Sequence, residues 1–416
     1  MSQPSRNGTH DYAARLAFVV ELGGHLHAYG TTAQRLEGAL KAVASRLGLG
    51  CEPWSNPTGL ILSFSDPARP PGEGDTTRVI RLPPGDTNLA RLCAADRIAE
   101  DVMAGHMDLA EGHAALRALD RPPSARAKVL HGVAFGLASA AVAGLLRLPW
   151  LDVATAGLTG LLIGGLDLLA QARPQLREAG DAVAALVAAL VAVLVASFVG
   201  PLNLNTVIIA SLIVLLPGMS LTNAVNELTS QHLVSGTARF AGALATVMKL
   251  TVGTIIALYL SDLLHLAPQV RASRPQPELL EWLSLPVAAF SFAVLFRTAR
   301  RDYPLVMGAA IAGYLVSRLA GAEWGSPVGI FLSALLLTAA GNAYSRWVKR
   351  PGALVRVPGI IMLVPGSASL RGVMTLVQQQ DVAAGQNAAL TVLNILLALI
   401  AGLLFGSLLV STRRNL

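Results

Sequence analysis

The chain has 416 residues, of which 53% are hydrophobic and only 5% aromatic, with a mean hydropathy of +0.55. That balance excludes an ordinary water-soluble protein and points to a membrane protein packed from Ala, Leu, Val and Gly. The net charge of +7 sits in short loops between apolar runs, which reads as a topology signal rather than a nucleic-acid-binding patch.

Residues 1–10 read as a polar tail, and the polar opening gives no expectation of a signal peptide. From Asp11 to Leu47 the pattern predicts two amphipathic helices broken near Tyr29-Gly30, with Thr31 or Thr32 as N-cap. Glu52–Asn56, Thr58–Ser65 and Thr77–Leu82 predict three short strands, the last two joined by a Pro/Gly-rich loop at 66–76. Two more helices are expected at 87–104 and 108–119. Together these make residues 1–123 a cytoplasmic soluble α/β domain, closed by Arg121-Pro122-Pro123. Residues 1–120 carry 11 Lys and Arg against 14 Asp and Glu, so the rest of the chain is net +10. Cys51 and Cys93 both fall here and read as reduced thiols. Glu21 and His25 stand at i, i+4, but a metal site needs three or four convergent ligands, so they read as helix-surface residues. No metal or cofactor is expected.

Beyond Pro123 the apolar spans fall near 129–146, 151–170, 182–199, 205–217 with a polar continuation to 230, and 238–260. A hydrophilic loop follows, and then 283–296, 303–319, 327–345, 354–366 with a continuation to 380, and 386–410. The expected units are a first five-helix half at 124–261, an extracytoplasmic linker at 262–281 and a second half at 282–416. With a cytoplasmic N-terminus and ten crossings, the inside segments hold 15 Lys and Arg and the outside segments five. Re-entrant broken segments would instead turn Arg297, Arg300, Arg301, Arg346, Lys349 and Arg350 outward, against the positive-inside rule. Because five is odd, the second half enters upside down. The fold class predicted is a mainly α membrane protein of two inverted five-helix repeats plus the α/β domain.

One phrase occurs twice. Residues 212–228 read LIVLLPGMSLTNAVNEL and residues 360–376 read IIMLVPGSASLRGVMTL, with the prolines 148 positions apart. Each apolar run of about twelve residues rises only ~18 Å as a helix, short of a ~30 Å hydrocarbon core. Pro217-Gly218 and Pro365-Gly366 should break these helices, and matched breaks in two halves mark a transporter's binding site. The half-helix after each break starts with free amides at a positive dipole end, suited to a carboxylate. Ser220, Thr222 and Asn223 add polar groups in the first half, and Ser367 and Ser369 in the second. The candidate substrate site is therefore Pro217, Gly218, Ser220, Thr222, Asn223, Pro365, Gly366, Ser367 and Ser369.

Glu227, on the polar face of 220–230, Lys249, inside an apolar run, and Asp167, near a span's end, are the candidates for ion coupling. A snorkelling lysine is the plainer reading of Lys249, and a capped or paired helix-end carboxylate that of Asp167. Asn342 and Asn394 read as interhelical hydrogen bonds. Gly132/Gly136 and Gly160/Gly164 read as small-residue packing pairs. No GxSxG, HExxH, Walker A or usable GxGxxG stretch occurs, so no catalytic residue is named and transport would be gradient-driven or downhill.

LLPGMSLTNAVNEL with Ser235-Gly236 and Arg239, LVPGSASLRGV, and the N-terminal LGGHLHAYGTTAQRLEGALKAVASRLGL resemble the threonine/serine exporter family over residues 12–410. The resemblance implies an inner-membrane exporter of small hydroxy amino acids coupled to the proton gradient, some relatives being linked to dicarboxylate export. Glu227 and Gln231-His232 depart from it, standing where the family pattern has an aspartate and a Gly-Asp pair. The partners implied are a small-molecule substrate and the lipid bilayer, with no nucleic acid and scope for a homo-oligomer. Two other readings compete. One is a membrane sensor whose soluble domain binds the ligand. The other is a hydrolase using Cys93 or a serine with His25 or His106.

Overall fold

The structure is a computed structural model and describes residues 6–68, 70, 75–171, 173–271, 275–379 and 382–411. Helices α1 (Arg6–Ala28) and α2 (Ala33–Arg46) form the expected hairpin. It turns at Gly30, whose φ of +82° is open to a residue without a Cβ. Strands β1 (Gly50–Asn56), β2 (Gly59–Ser65) and β3 (Thr76–Arg81) pair antiparallel in chain order, with Asn56 opposite Gly59 and Gly59 opposite Arg81. The period-2 alternation turns Leu60, Leu62 and Phe64 inward, into one cluster with Phe18, Leu22, Leu26 and Leu40 of the helices. Helices α3 (Leu89–Met103) and α4 (Leu109–Ala118) complete this N-terminal unit. Asn88 caps α3 through the Arg91 amide, and a reciprocal Asp108–Glu111 capping box starts α4.

The remainder is helical. In order come α5 (Ala125–Leu145), α6 (Trp150–Ala170), α7 (Pro174–Phe198), α8 (Leu204–Ser211), α9 (Gly218–Thr229) and α10 (Leu233–Leu263). Then follow α11 (Glu278–Leu295), a 3-10 turn at Arg300–Asp302, α12 (Tyr303–Trp324), α13 (Ser326–Val348), α14 (Ala353–Ile361), α15 (Gly366–Gln379) and α16 (Val382–Leu409). Among the described residues nine helical stretches are long and apolar enough to cross a membrane, against the ten segments expected. The difference lies at the first break, which divides its segment into helices of 8 and 12 residues.

Helix ends gather at two levels. At the near end, the amides of Leu89 and Ala90 donate to the carbonyls of Phe296 and Arg297 at 3.0 and 3.2 Å. The core of the N-terminal unit runs on without interruption into Phe292, Phe296, Val306, Ala353 and Leu354. At the far end, Leu202 and Val270 form a β-bridge, and Arg147 Nε donates to the Gln276 carbonyl at 2.6 Å. The glycine pairs bring α5 and α6 together as expected. A Cβ on Gly164 would lie 2.4 Å from the Gly132 carbonyl oxygen, and one on Gly160 2.5 Å from Ser139 Oγ. Asn342 donates to the Val410 carbonyl at 2.8 Å, tying α13 to the end of α16. Asn394 does not act in this way: it faces outward on α16 and is exposed.

Candidate functional site

The two Pro-Gly breaks face each other. After Ser211 the chain leaves helical geometry, and Gly218 N turns back to the Leu216 carbonyl at 2.9 Å. The Ser211 carbonyl, freed by the break, accepts from Ser139 Oγ of α5 at 3.1 Å. At the second break the Leu363 amide closes a tight turn onto Ile360 at 2.8 Å. Thr222 and Ser369 hold the starts of the half-helices, donating to the Gly218 and Pro365 carbonyls at 3.0 and 2.8 Å. The approach between the breaks leaves no space for side chains. A Cβ on Gly218 would sit 2.5 Å from Val364 Cγ2 and 3.2 Å from Gly366 N, and one on Gly366 3.0 Å from Leu216 Cβ.

Two clefts meet these breaks. The first, with about 1190 Å³ of open space, lies under the N-terminal unit and is lined by Thr31 and Arg35, by Met219, Thr222, Asn223 and Asn226 of α9, and by Arg356 of α14. The second, with about 760 Å³, is lined by Leu216, Val364, Gly366, Ser367 and Tyr314, and reaches Leu145 and Leu146 where α5 ends at the far side. Among the predicted residues, Thr222 and Asn223 thus face the first cleft and Gly366 and Ser367 the second. Ser220 and Ser369 lie beside the breaks, half-buried.

Glu227 is fully buried and ties three elements together. It accepts from the Ala33 amide at the start of α2 (3.0 Å), from Ser235 Oγ (2.9 Å), and from Arg239 Nε and Nη2 (3.0 and 3.1 Å). Thr32, the expected N-cap, makes no side-chain cap bond; the carboxylate of a distant helix caps α2 in its place, at the end where its dipole favours negative charge. His232 Nε2 adds a contact to Glu37 Oε2 at 3.2 Å. Lys249 is half exposed, donates to the Glu178 carbonyl at 3.1 Å and lies 3.9 Å from Asp181. Asp167 accepts from Gln171 at 2.9 Å, with His131 3.9 Å away.

Sequence reasoning passed over Arg35, Arg356 and Asp152. Asp152 is completely buried: Oδ2 accepts from the Asn203 amide and Nδ2 at 3.2 and 2.6 Å, and Oδ1 has no partner. Arg356 and Asp152 did carry a signal, each being a charge inside or at the edge of an apolar run. Arg35 carried none, being one arginine on an amphipathic helix.

Among the described residues, the contacts of His25 and His106 are with groups other than Cys93 or a serine. His25 Nδ1 meets the Tyr29 hydroxyl at 3.0 Å and His106 lies 3.9 Å from Asp101. Burial pushes the Cys51 and Cys93 thiols up to about 11, so both are protonated and unreactive at neutral pH. Glu21 is engaged by His113 and Arg117. Among the described residues no cluster of three His, Cys, Asp or Glu could hold a metal ion.

The comparisons agree with one another. Yeast proteins named "Pheromone-regulated membrane protein 10" are similar along most of the chain. That of Pichia sorbitophila is 23% identical over 389 residues, covering 89% of this chain and 38% of its own length. That of Debaryomyces hansenii is 23% identical over 401 residues, covering 92% and 39%. The chain therefore spans under two-fifths of these relatives. No solved structure matches. Family models described as "Putative threonine/serine exporter" and "Threonine/Serine exporter, ThrE" match residues 17–261, which take in most of the N-terminal unit and helices α5 to α10, and residues 281–409. The two matches leave little of the chain uncovered, and it belongs to the threonine/serine exporter family of membrane proteins.

Proposed function

We propose that this chain is an inner-membrane secondary transporter that exports small carboxylate-bearing metabolites by alternating access. Threonine and serine are the first substrates to test and a dicarboxylate such as succinate the alternative. The observation that carries the reading is the contact between the breaks. The backbones of Gly218 and Gly366 close the middle of the bundle and separate a cleft under the N-terminal unit from one reaching the far end. α9 presents its polar face to the first cleft and α15 begins at the second, as two inverted halves of five crossings each would arrange them.

The family match supports export, and the charge asymmetry supports cytoplasmic termini. Proton coupling needs a carboxylate that gains and loses a proton during the cycle. Glu227, Asp167 and the buried Asp152 are placed to serve, whereas Lys249 reaches outward to Asp181. The test is efflux from proteoliposomes loaded with threonine, serine or succinate, with and without a pH gradient. Export that accelerates with an inward proton gradient is expected. Equal leakage from protein-free vesicles for all three solutes would end the proposal.

A further inference from the structure

Among the described residues, the lining of the cleft under the N-terminal unit carries two positive charges and no negative one. Arg35, from the first turn of α2, and Arg356, from α14, both line it, and among the described residues no aspartate or glutamate does. Neither guanidinium has a hydrogen-bond or ion-pair partner among the described residues, whereas that of Arg239, outside the lining, is engaged by Glu227. Glu227 is committed to Arg239, Ser235 and the Ala33 amide, and Glu37 to Ser55 and His232. Burial draws the Arg35 guanidinium down to about 10, so it remains a cation at neutral pH without a counter-charge. Thr31 Oγ1, on the same wall, is buried and also lacks a partner. Both arginines are half-buried in the cleft wall, and the fork of donors that each leaves unpaired there matches a carboxylate in two-point contact.

We propose that Arg35 and Arg356 form a clamp for a small organic anion bearing two carboxylates, one arginine supplied by the N-terminal unit and the other by the helix before the second break. A zwitterionic amino acid fits this cleft less well, because its ammonium group finds no acid there. The site is complete only with the N-terminal unit docked, which makes that unit part of the binding path. The proposal rests on the exporter reading in taking the bound anion to be the cargo, since α9 carries the cleft up to the first break.

The experiment measures binding of succinate and of threonine to the purified full-length protein by calorimetry, and efflux of each from vesicles. Succinate should bind at least about tenfold more tightly than threonine, as one extra charged contact implies. Arg35→Gln and Arg356→Gln should each weaken succinate by about tenfold or more. Arg35→Lys and Arg356→Lys, which keep the charge but lose the fork and disturb folding least, should fall between. Succinate affinity unchanged in all four variants, or threonine bound as tightly as succinate, overturns the clamp. Binding that weakens as expected while the wild-type protein moves neither solute upholds the anion site and removes the exporter reading. Efflux that persists while binding ignores both arginines does the reverse.

Discussion

At the scale of single residues, the breaks depend on what is missing from two side chains. The Cβ of Gly218→Ala would meet Val364 Cγ2 at 2.5 Å, closer than real contacts allow, whereas that of Gly366→Ala meets Leu216 Cβ at 3.0 Å and needs a smaller adjustment. Efflux should therefore fall by more than about tenfold in the first variant and by less in the second, since overpacking at a well-packed site costs ~1–3 kcal/mol. The check is initial efflux rate at matched protein levels, and a Gly218→Ala protein as fast as wild type would mean the contact does not gate the path.

His27 offers a second residue-scale test. Its Nε2 donates to the Asn56 carbonyl at 3.0 Å, and its Nδ1 is buried without a partner. Burial, with a smaller push from Arg239, holds its pKa below the ordinary value of 6.5 against the pull of the Asn56 and Pro57 carbonyls. The unfolded ring gains a proton below about 6.5 and the folded ring only at lower pH, so this stability is whole above that value and drains away as pH falls through the window beneath it. The unfolding midpoint should drop between about pH 7 and pH 5.5, and His27→Gln should flatten the slope. An equal slope in that variant would assign the effect to other groups.

At the scale of elements, much was legible and the docking was not. The hairpin of α1 and α2, the three strands and both capped helices follow from apolar spacing and turn residues, and the observed spans depart from the predicted ones only at their ends. The breaks were legible because Pro and Gly act locally on the backbone. Glu227 was legible only as a polar residue on a helix, since the amide it caps is 194 positions away in sequence. Its partners Ser235 and Arg239 stand one and two turns into α10, and no local pattern says that α2 will arrive beside them. The same limit hid Arg35, whose isolation appears only when α2 is laid over α9 and α14.

That docking sets the prediction at this scale. Glu227→Gln removes a fully buried carboxylate from a two-point contact with Arg239 and from the amino end of α2. Breaking such a pair from one side leaves a charge uncompensated and costs about 3–5 kcal/mol. Thermal unfolding should shift down strongly, and protease should reach the segment at 119–124 sooner. Arg239→Gln should show a similar loss, with the double variant losing less than the two combined. Strict additivity would mean the two residues do not act as a unit.

At the scale of the whole molecule, the arrangement of helix ends and the distribution of charge point the same way. The near end carries Arg297, Arg300, Arg301, Arg346, Lys349 and Arg350, and Arg350 grips Asp302 in a double contact at 2.7 Å. The far end, with Leu202, Val270 and Ala267, carries little positive charge. Anchoring the near end in the cytoplasm would satisfy the positive-inside rule and would place the N-terminal unit there too. The ends of the first broken segment are tied at opposite levels, Asn203 to Asp152 at the far end and Glu227 to Ala33 at the near end. Cysteines introduced singly at Ala267 and Ser326, both exposed, should react with an impermeant maleimide in intact cells, while one at Lys349 should react only after permeabilisation. The native Cys51 and Cys93 are buried and add little background. Rapid labelling at Lys349 in intact cells would place six basic residues outside and invert every assignment made for the two clefts. Labelling confined to Ala267 and Ser326 would fix the cleft under the N-terminal unit as the cytoplasmic entrance, where a small anion meets the first break before the second cleft can open.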